Sequence, residues 1–244
     1  MDKPIRIKVA DKFAVYGRLN GSLKQPLFIV VHGLPGSYNE GFYERACFWF
    51  AKQGYATFRF NLYSWQKDSR QLIDSTLKTH AADIDAVVRH FKRQGVKKVF
   101  LAGHSFGGPS ILLSKEQKFD AAVLWDPSYD ISFAQERYGF PGGKFVKSLN
   151  GYFMRWGSNV IIGKKMAKEV DTLKWADLPK KFRVPLKIIV AEKGVLVPGA
   201  KVYFEQAHEP KDLEIVKGAT HYFDDEPKMQ DHVFERTKKW FQKF

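Results

Sequence analysis

The sequence predicts an α/β domain built on a mostly parallel, doubly wound sheet. Three observations carry that expectation. Short apolar runs alternate along the chain with longer amphipathic ones, the order that puts helices between parallel strands. Several runs, such as Val99-Phe100-Leu101-Ala102, are apolar at consecutive positions, so both of their faces must be covered. The tightest motif, Gly103-His104-Ser105-Phe106-Gly107, stands directly after that run and before a helical stretch. A length of 244 residues suits one large domain, and 44% apolar with 15% aromatic residues excludes a disordered chain.

Taken in order, residues 5–9 and 13–19 read as an opening hairpin of alternating strands. Buried strands are expected at 27–31, 55–60, 97–102, 120–125 and 186–191, and a last strand at 212–216, eight in all. Ile84, Val87, Val88 and Phe91 fall at i, i+3, i+4 and i+7, one face of a helix. Val233, Thr237, Trp240, Phe241 and Phe244 make a similar stripe at the C-terminus, with Thr237 its polar member. Residues 1–126 and 184–244 are expected to form the core domain. Segment 127–183 is too long for a bare crossover. It is expected to supply one helix to the sheet layer and otherwise a cap, inserted after the sixth strand. Its aromatics, Tyr129, Phe133, Tyr138, Phe140, Phe145, Tyr152, Phe153, Trp156, Trp175 and Phe182, would pack the cap on the body and leave several to line a pocket.

Composition narrows the function classes. No apolar run approaches the roughly 20 residues of a membrane helix, so no membrane span is expected. The start, MDKPIRIKVA, lacks the apolar stretch of a secretion signal. The single cysteine, Cys47, cannot form an internal disulfide, and a cytoplasmic location is expected. The net charge is +14, spread over pairs such as Lys97-Lys98 and Lys238-Lys239. No recognition helix or RNA-binding signature accompanies it, so the charge reads as a solvated surface and no nucleic-acid partner is expected. No H-E-x-x-H or Cys/His ligand spacing occurs, and no metal is expected.

The motif around Ser105 matches G-x-S-x-G in the strand–turn–helix context the chemistry requires. A nucleophilic serine must stand on a strained turn so that Oγ projects from the sheet edge. Glycines two before and two after relieve the crowding there. The turn also puts the NH of Phe106 at a helix N-terminus, where it can stabilise an oxyanion. A second donor is expected from the loop His32-Gly33-Leu34-Pro35-Gly36-Ser37, through the NH of Leu34, since Pro35 has none. His32 is expected to be structural, hydrogen-bonded beneath that loop. The base should follow the last strand, and Gly218-Ala219-Thr220-His221 does so. His80, His90, His208 and His232 fall in helical patterns and are expected at the surface.

HGLPGS, GHSFGG and GATHYF, in this order and spacing, resemble the α/β-hydrolase superfamily. Residues 68–85 also resemble the corresponding region of bacterial cinnamoyl/feruloyl esterases and dienelactone-hydrolase-like proteins. The resemblance implies an α/β-hydrolase fold, Ser105 as nucleophile, His221 as base, Leu34 and Phe106 as oxyanion donors, and no cofactor. Two departures stand out. The relatives' Arg-Gly or Asn-Gly turn after the fourth strand is replaced by the bulkier run from Asn61 to Ser69. The relatives' aspartate after the seventh strand falls here on Gly194, in Glu192-Lys193-Gly194-Val195-Leu196-Val197-Pro198.

The acid must then come from elsewhere. Asp126 closes the apolar run Ala121–Trp125 and should stand at the C-terminal edge of the sheet, where active sites of open parallel sheets form. Glu192 is the alternative, and an acid-free Ser–His dyad a third arrangement. The expected activity is a carboxylesterase acting on apolar or aromatic acyl esters, with a small-molecule ester as partner. A thioesterase, amidase or C–C hydrolase would use the same groups. A binding protein on a decayed hydrolase fold is the reading that Gly194 alone would favour.

Overall fold

The computed structural model describes residues 2–10, 12–137, 140–156 and 158–244, so Tyr138 lies outside the described residues. The chain opens with the antiparallel hairpin β1 (Lys3–Ala10) and β2 (Phe13–Asn20). Strand β3 (Leu27–Val31) follows, then α1 (Gly41–Lys52), β4 (Ala56–Phe60), α2 (Leu77–Arg93), β5 (Val99–His104), α3 (Gly107–Leu112) and β6 (Ala121–Trp125). A three-stranded antiparallel sheet, β7 (Lys144–Val146), β8 (Gly151–Trp156) and β9 (Ser158–Gly163), leads into α4 (Lys164–Thr172). The chain closes through β10 (Leu186–Ala191), α5 (Val197–Gln206), β11 (Lys211–Val216) and α6 (Met229–Phe241).

The main sheet has eight strands in the order β1-β2-β4-β3-β5-β6-β10-β11. Strands β3 to β6, β10 and β11 run parallel, and only the opening hairpin is antiparallel to its neighbours. This is the α/β-hydrolase fold that the sequence predicts.

Every residue of β3, β4, β5, β6 and β10 is buried. Because strand side chains alternate, each strand feeds two cores. Leu27, Ile29 and Val31 of β3 enter one core with Ile84, Val87, Val88 and Phe91 of α2. Phe28 and Val30 enter the other, with Phe42, Tyr43 and Phe50 of α1 and Phe234 and Phe241 of α6. The continuous apolar run of a central strand is thus required by helices on both faces. Thr237, the polar member of the C-terminal stripe, is fully buried because its Oγ1 accepts the indole NH of Trp125 at 2.9 Å and donates to the Val233 carbonyl at 2.8 Å.

Segment 127–183 is not only loop and helix. Met154 and Ile162 of the small sheet and Met166, Ala167 and Val170 of α4 join the same core as α2. Glu169 of α4 accepts the free NH groups of Leu77 and Lys78 at the start of α2, at 2.7 and 3.2 Å. That satisfies helix donors which would otherwise lack partners. The expectation of surface histidines fails at His80. It is fully buried on α2, stacked on Tyr63 and edge-on to Phe106. The helical period places it on the core side of α2, one position before Ala81 and four before Ile84. His208 lies beyond the end of α5 rather than within a helix.

Candidate active site

Ser105 occupies the turn between β5 and α3 with φ +53°, a left-handed conformation that side chains rarely adopt. Such strain costs about 1–3 kcal/mol and needs surroundings that enforce it. The backbone supplies them: the Ser105 NH donates to the Trp125 carbonyl at 2.9 Å, and the Ser105 carbonyl accepts the Ser128 NH at 3.1 Å. The two flanking glycines face each other. A Cβ on Gly103 would stand 2.7 Å from the Gly107 carbonyl oxygen, and one on Gly107 would stand 2.5 Å from that of Val31. Any side chain at either position would force the turn apart. The Ser105 side chain is nearly buried, its Oγ 3.4 Å from Ser128 Oγ.

Asp126 follows β6 in the same left-handed region, at φ +44°. Its NH donates to the Ile189 carbonyl at 2.7 Å, which locks the residue over the neighbouring strand β10. The carboxylate is 1% exposed. Its Oδ1 accepts the Ala191 NH at 3.0 Å, and its Oδ2 lies 2.6 Å from His221 Nδ1. With a carboxylate on Nδ1, the histidine keeps its proton there and presents Nε2 with a free lone pair. Gly194 faces the same point: a Cβ built on it would lie 3.7 Å from Asp126 Oδ2. The two candidate positions for the acid therefore converge on one place in space. Glu192 does not reach it. Its Oε2 accepts the Gly218 NH at 2.8 Å, in the exposed turn that leads to His221.

The loop from His32 to Ser37 is braced from below. His32 is buried, and burial lowers its pKa to about 4, so the ring is neutral. Its Nε2 accepts the Leu62 NH at 3.0 Å, which leaves the proton on Nδ1 to donate to the Gly33 carbonyl at 2.8 Å. A Cβ on Gly33 would sit 2.8 Å from Ser105 Cβ, so only glycine lets the loop approach the serine this closely. Among the described residues, the NH groups of Leu34 and Phe106 donate to no other group of the chain. Both residues line the pocket that holds Ser105 and His221.

Tyr43 and Glu40, at the start of α1, have no local motif that would mark them in the sequence, yet they join the two loops of the site. The Gly33 NH donates to Tyr43 Oη at 3.0 Å. The Tyr43 hydroxyl meets His104 Nδ1 at 2.9 Å, and His104 Nε2 lies 2.8 Å from the His221 carbonyl. A carbonyl only accepts, so His104 carries its proton on Nε2 and Tyr43 donates to Nδ1. Burial, with the nearby charge of His221 second, holds the His104 pKa well below its usual value, consistent with a neutral ring. In parallel, Glu40 accepts the Ser37 NH at 2.9 Å through Oε1 and the Tyr222 hydroxyl at 3.2 Å through Oε2.

The pocket over Ser105 has a volume of about 190 Å³. Of the aromatics in segment 127–183, Phe140 and Trp156 line it, with Ile131 beside them. Phe133, Trp175 and Phe182 are buried in the core instead, and Tyr129 packs on Tyr203. The bulky run after β4 does not wall this pocket. Tyr63 packs against the loop from His32 to Ser37 and accepts the Gly36 NH at 2.8 Å, while Trp65 points to solvent. Among the described residues no group of three or more His, Cys, Asp or Glu is placed to hold a metal ion, and no helix is long and apolar enough to cross a membrane.

Several solved structures share this architecture. Est1E from Butyrivibrio proteoclasticus, solved with ferulic acid bound, superposes with a TM-score of 0.81 at 21% identity, over 98% of each chain. A dienelactone hydrolase from Anabaena variabilis gives 0.72 at 15% identity, over 100% of this chain and 98% of the other. A monoacylglycerol lipase from Paleococcus ferrophilus gives 0.73 at 17% identity, over 93% and 98%. At these identities the likeness is one of fold. No curated protein matches the sequence. The alpha/beta hydrolase family, by contrast, matches residues 28–229, from β3 to the first residue of α6, and the chain belongs to that family.

Proposed function

We propose that the protein is a serine hydrolase that cleaves carboxylic esters of apolar or aromatic acids through an acyl ester on Ser105. The observation that carries this reading is the 2.6 Å contact between Asp126 Oδ2 and His221 Nδ1, at the pocket that also holds the strained Ser105. Ser105 Oγ attacks the ester carbonyl while its proton passes to His221 Nε2. Asp126 holds the ring in the tautomer that can accept it and stabilises the resulting imidazolium. The carbonyl oxygen, now an oxyanion, takes hydrogen bonds from the NH groups of Leu34 and Phe106. The C–O bond to the alcohol breaks, and the leaving oxygen takes the proton from His221. Water then repeats the sequence on the acyl-serine, returning Ser105 and releasing the acid. No hydrogen bond joins Ser105 to His221 in the free enzyme. Such bonds are often loose before substrate binds.

Phe140, Trp156 and Ile131 over the serine favour an apolar acyl group. Each methylene buried there contributes about 0.8 kcal/mol, or roughly four-fold in kcat/KM. The reading is tested with a fluorophosphonate probe and p-nitrophenyl esters. Wild-type protein should label rapidly on Ser105, and Ser105→Ala should fold normally and lose on the order of 10⁶ in kcat. A folded Ser105→Ala protein with near-normal turnover would refute the assignment. Esters from acetyl to octanoyl, and cinnamoyl esters, test the acyl preference; a flat or falling series with no gain for cinnamoyl would refute it.

A further inference from the structure

The basic surface is not uniform. Residues 140–168 contain six cations, Lys144, Lys147, Arg155, Lys164, Lys165 and Lys168, and no aspartate or glutamate. All six are exposed, and among the described residues none takes part in an ion pair. Some cations elsewhere are offset, as in Arg59 with Asp2 and Glu44, or Lys187 with Asp212 and Glu214.

The same small sheet carries exposed apolar side chains. In the antiparallel register Lys144 stands opposite Phe153, which stands opposite Ile161. With a period of two, Arg155 shares their face, while Met154 and Ile162 point into the core. That outer face borders a groove of about 570 Å³ whose other wall is the run after β4. Trp65 and Leu149 stand on its rim, 92% and 48% exposed, and Phe145 on the edge strand is 42% exposed with the Lys164 ammonium 5.8 Å from its ring centre. Trp65 is the only fully exposed tryptophan of the six.

Aromatic and aliphatic side chains ringed by uncompensated lysines match the chemistry of an anionic bilayer surface. Lipid headgroups attract the cations, and the amphipathic rings settle at the headgroup–acyl boundary. We propose that this face of the protein, formed by β7 to β9 and the Trp65 run, docks reversibly on anionic lipid membranes. Trp65, Leu149 and Phe153 enter the interface, and Lys144, Lys147 and Arg155 contact headgroups, while Phe145 with Lys164 lies on the other side of the small sheet. A nucleic acid would require bases stacked in a charged cleft. This groove is lined mainly by apolar side chains, with Lys144 and Arg155 beside Phe153 at its edge, which favours lipid. Docking does not depend on the esterase reading, because it is measured without turnover.

The test is co-sedimentation with vesicles of phosphatidylcholine alone or with about one-third phosphatidylglycerol. Binding is expected to the mixed vesicles only, and to weaken as salt is raised. Each cation near the surface contributes roughly five-fold, so the triple variant Lys144→Glu, Lys147→Glu, Arg155→Glu should bind at least about 100-fold more weakly. A control, Lys52→Glu, Lys217→Glu, Lys243→Glu, changes net charge equally at the ends of α1 and α6 and beyond the edge strand β11, away from the small sheet, and should bind nearly as wild type. Vesicles should shift the tryptophan emission to the blue, and Trp65→Phe should abolish that shift while retaining sedimentation. The proposal is overturned if wild type ignores the mixed vesicles, or if the control triple loses as much as the first. It is equally overturned if a single-stranded oligonucleotide at the same salt binds more tightly than the vesicles through the same three cations.

Discussion

Replacing Asp126 by asparagine isolates the role of the buried carboxylate with little change of shape. The amide can still offer an oxygen to the Ala191 NH, now 3.0 Å from Oδ1, so the backbone anchor survives. Its other end then turns an NH₂ toward His221 Nδ1, where Oδ2 stood at 2.6 Å. A donor facing Nδ1 moves the ring proton to Nε2, and Nε2 can no longer take the proton of Ser105. The expected loss is on the order of 10⁴ in kcat, about 5.5 kcal/mol of transition-state stabilisation, with a small change in KM. Glu192→Gln should stay near wild type, because Glu192 serves the Gly218 NH rather than the histidine. Gly194→Asp adds a decisive arm. Its Cβ would lie 3.7 Å from Asp126 Oδ2, so a second carboxylate there should repel the first and lower activity. In the Asp126→Asn background the same change should restore part of the lost rate. The assay is p-nitrophenyl ester hydrolysis by each variant, with folding checked by circular dichroism. A folded Asp126→Asn enzyme within ten-fold of wild type would refute Asp126 as the acid. A large loss in Glu192→Gln instead would move the role to Glu192.

Other perturbations test separate parts of the site. Gly33→Ala places a methyl where Ser105 Cβ already stands at 2.8 Å. It should push the oxyanion loop away and cost on the order of 10² in kcat, read by single-turnover kinetics. Tyr43→Phe removes both the acceptor of the Gly33 NH and the donor to His104. It should cost about 1–3 kcal/mol in urea denaturation and lower kcat more than it raises KM, and an unchanged kcat would show that the two loops need no tie. The buried histidines predict an acid-sensitive fold. Burial lowers the pKa of His32 from 6.5 to about 4 and that of His80 from 6.5 to about 3. The unfolded chain therefore binds these protons first, and stability falls as pH drops below 6.5 until the folded values are reached. At about pH 5 each contributes roughly 2 kcal/mol of that loss. His80→Phe should flatten the slope, and denaturation midpoints equal at about pH 5 and pH 7 would contradict the account.

Local chemistry made much of this protein legible in its sequence. Runs apolar on both faces could only be central strands. The G-x-S-x-G turn announces itself because two glycines and a serine must lie at fixed spacing for the backbone to bend. His221 could be singled out because the glycine turn after the last strand is equally local. The carboxylate beside His221 was legible only through the expected strand order, which favoured Asp126 over Glu192. Asp126 lies 95 residues before His221, and no spacing encodes which of two strand ends meets the histidine. That depends on β6 lying between β5 and β10. It also depends on Gly194 leaving open the space into which Asp126 points.

The sequence by itself determined the sheet, the order of its strands along the chain and the strand–turn–helix geometry at Ser105. Each of these rests on the conformations and burial patterns of residues close together in the chain. Tertiary structure alone decided the rest. It chose which aromatics of segment 127–183 line the pocket and which fill the core, and it buried His80. It also drew Tyr43 and His104 into one line of hydrogen bonds, and brought Trp65 and Leu149 to one groove. Those outcomes follow from packing in three dimensions, where a side chain's neighbours are fixed by how layers and strands meet rather than by its place in the chain.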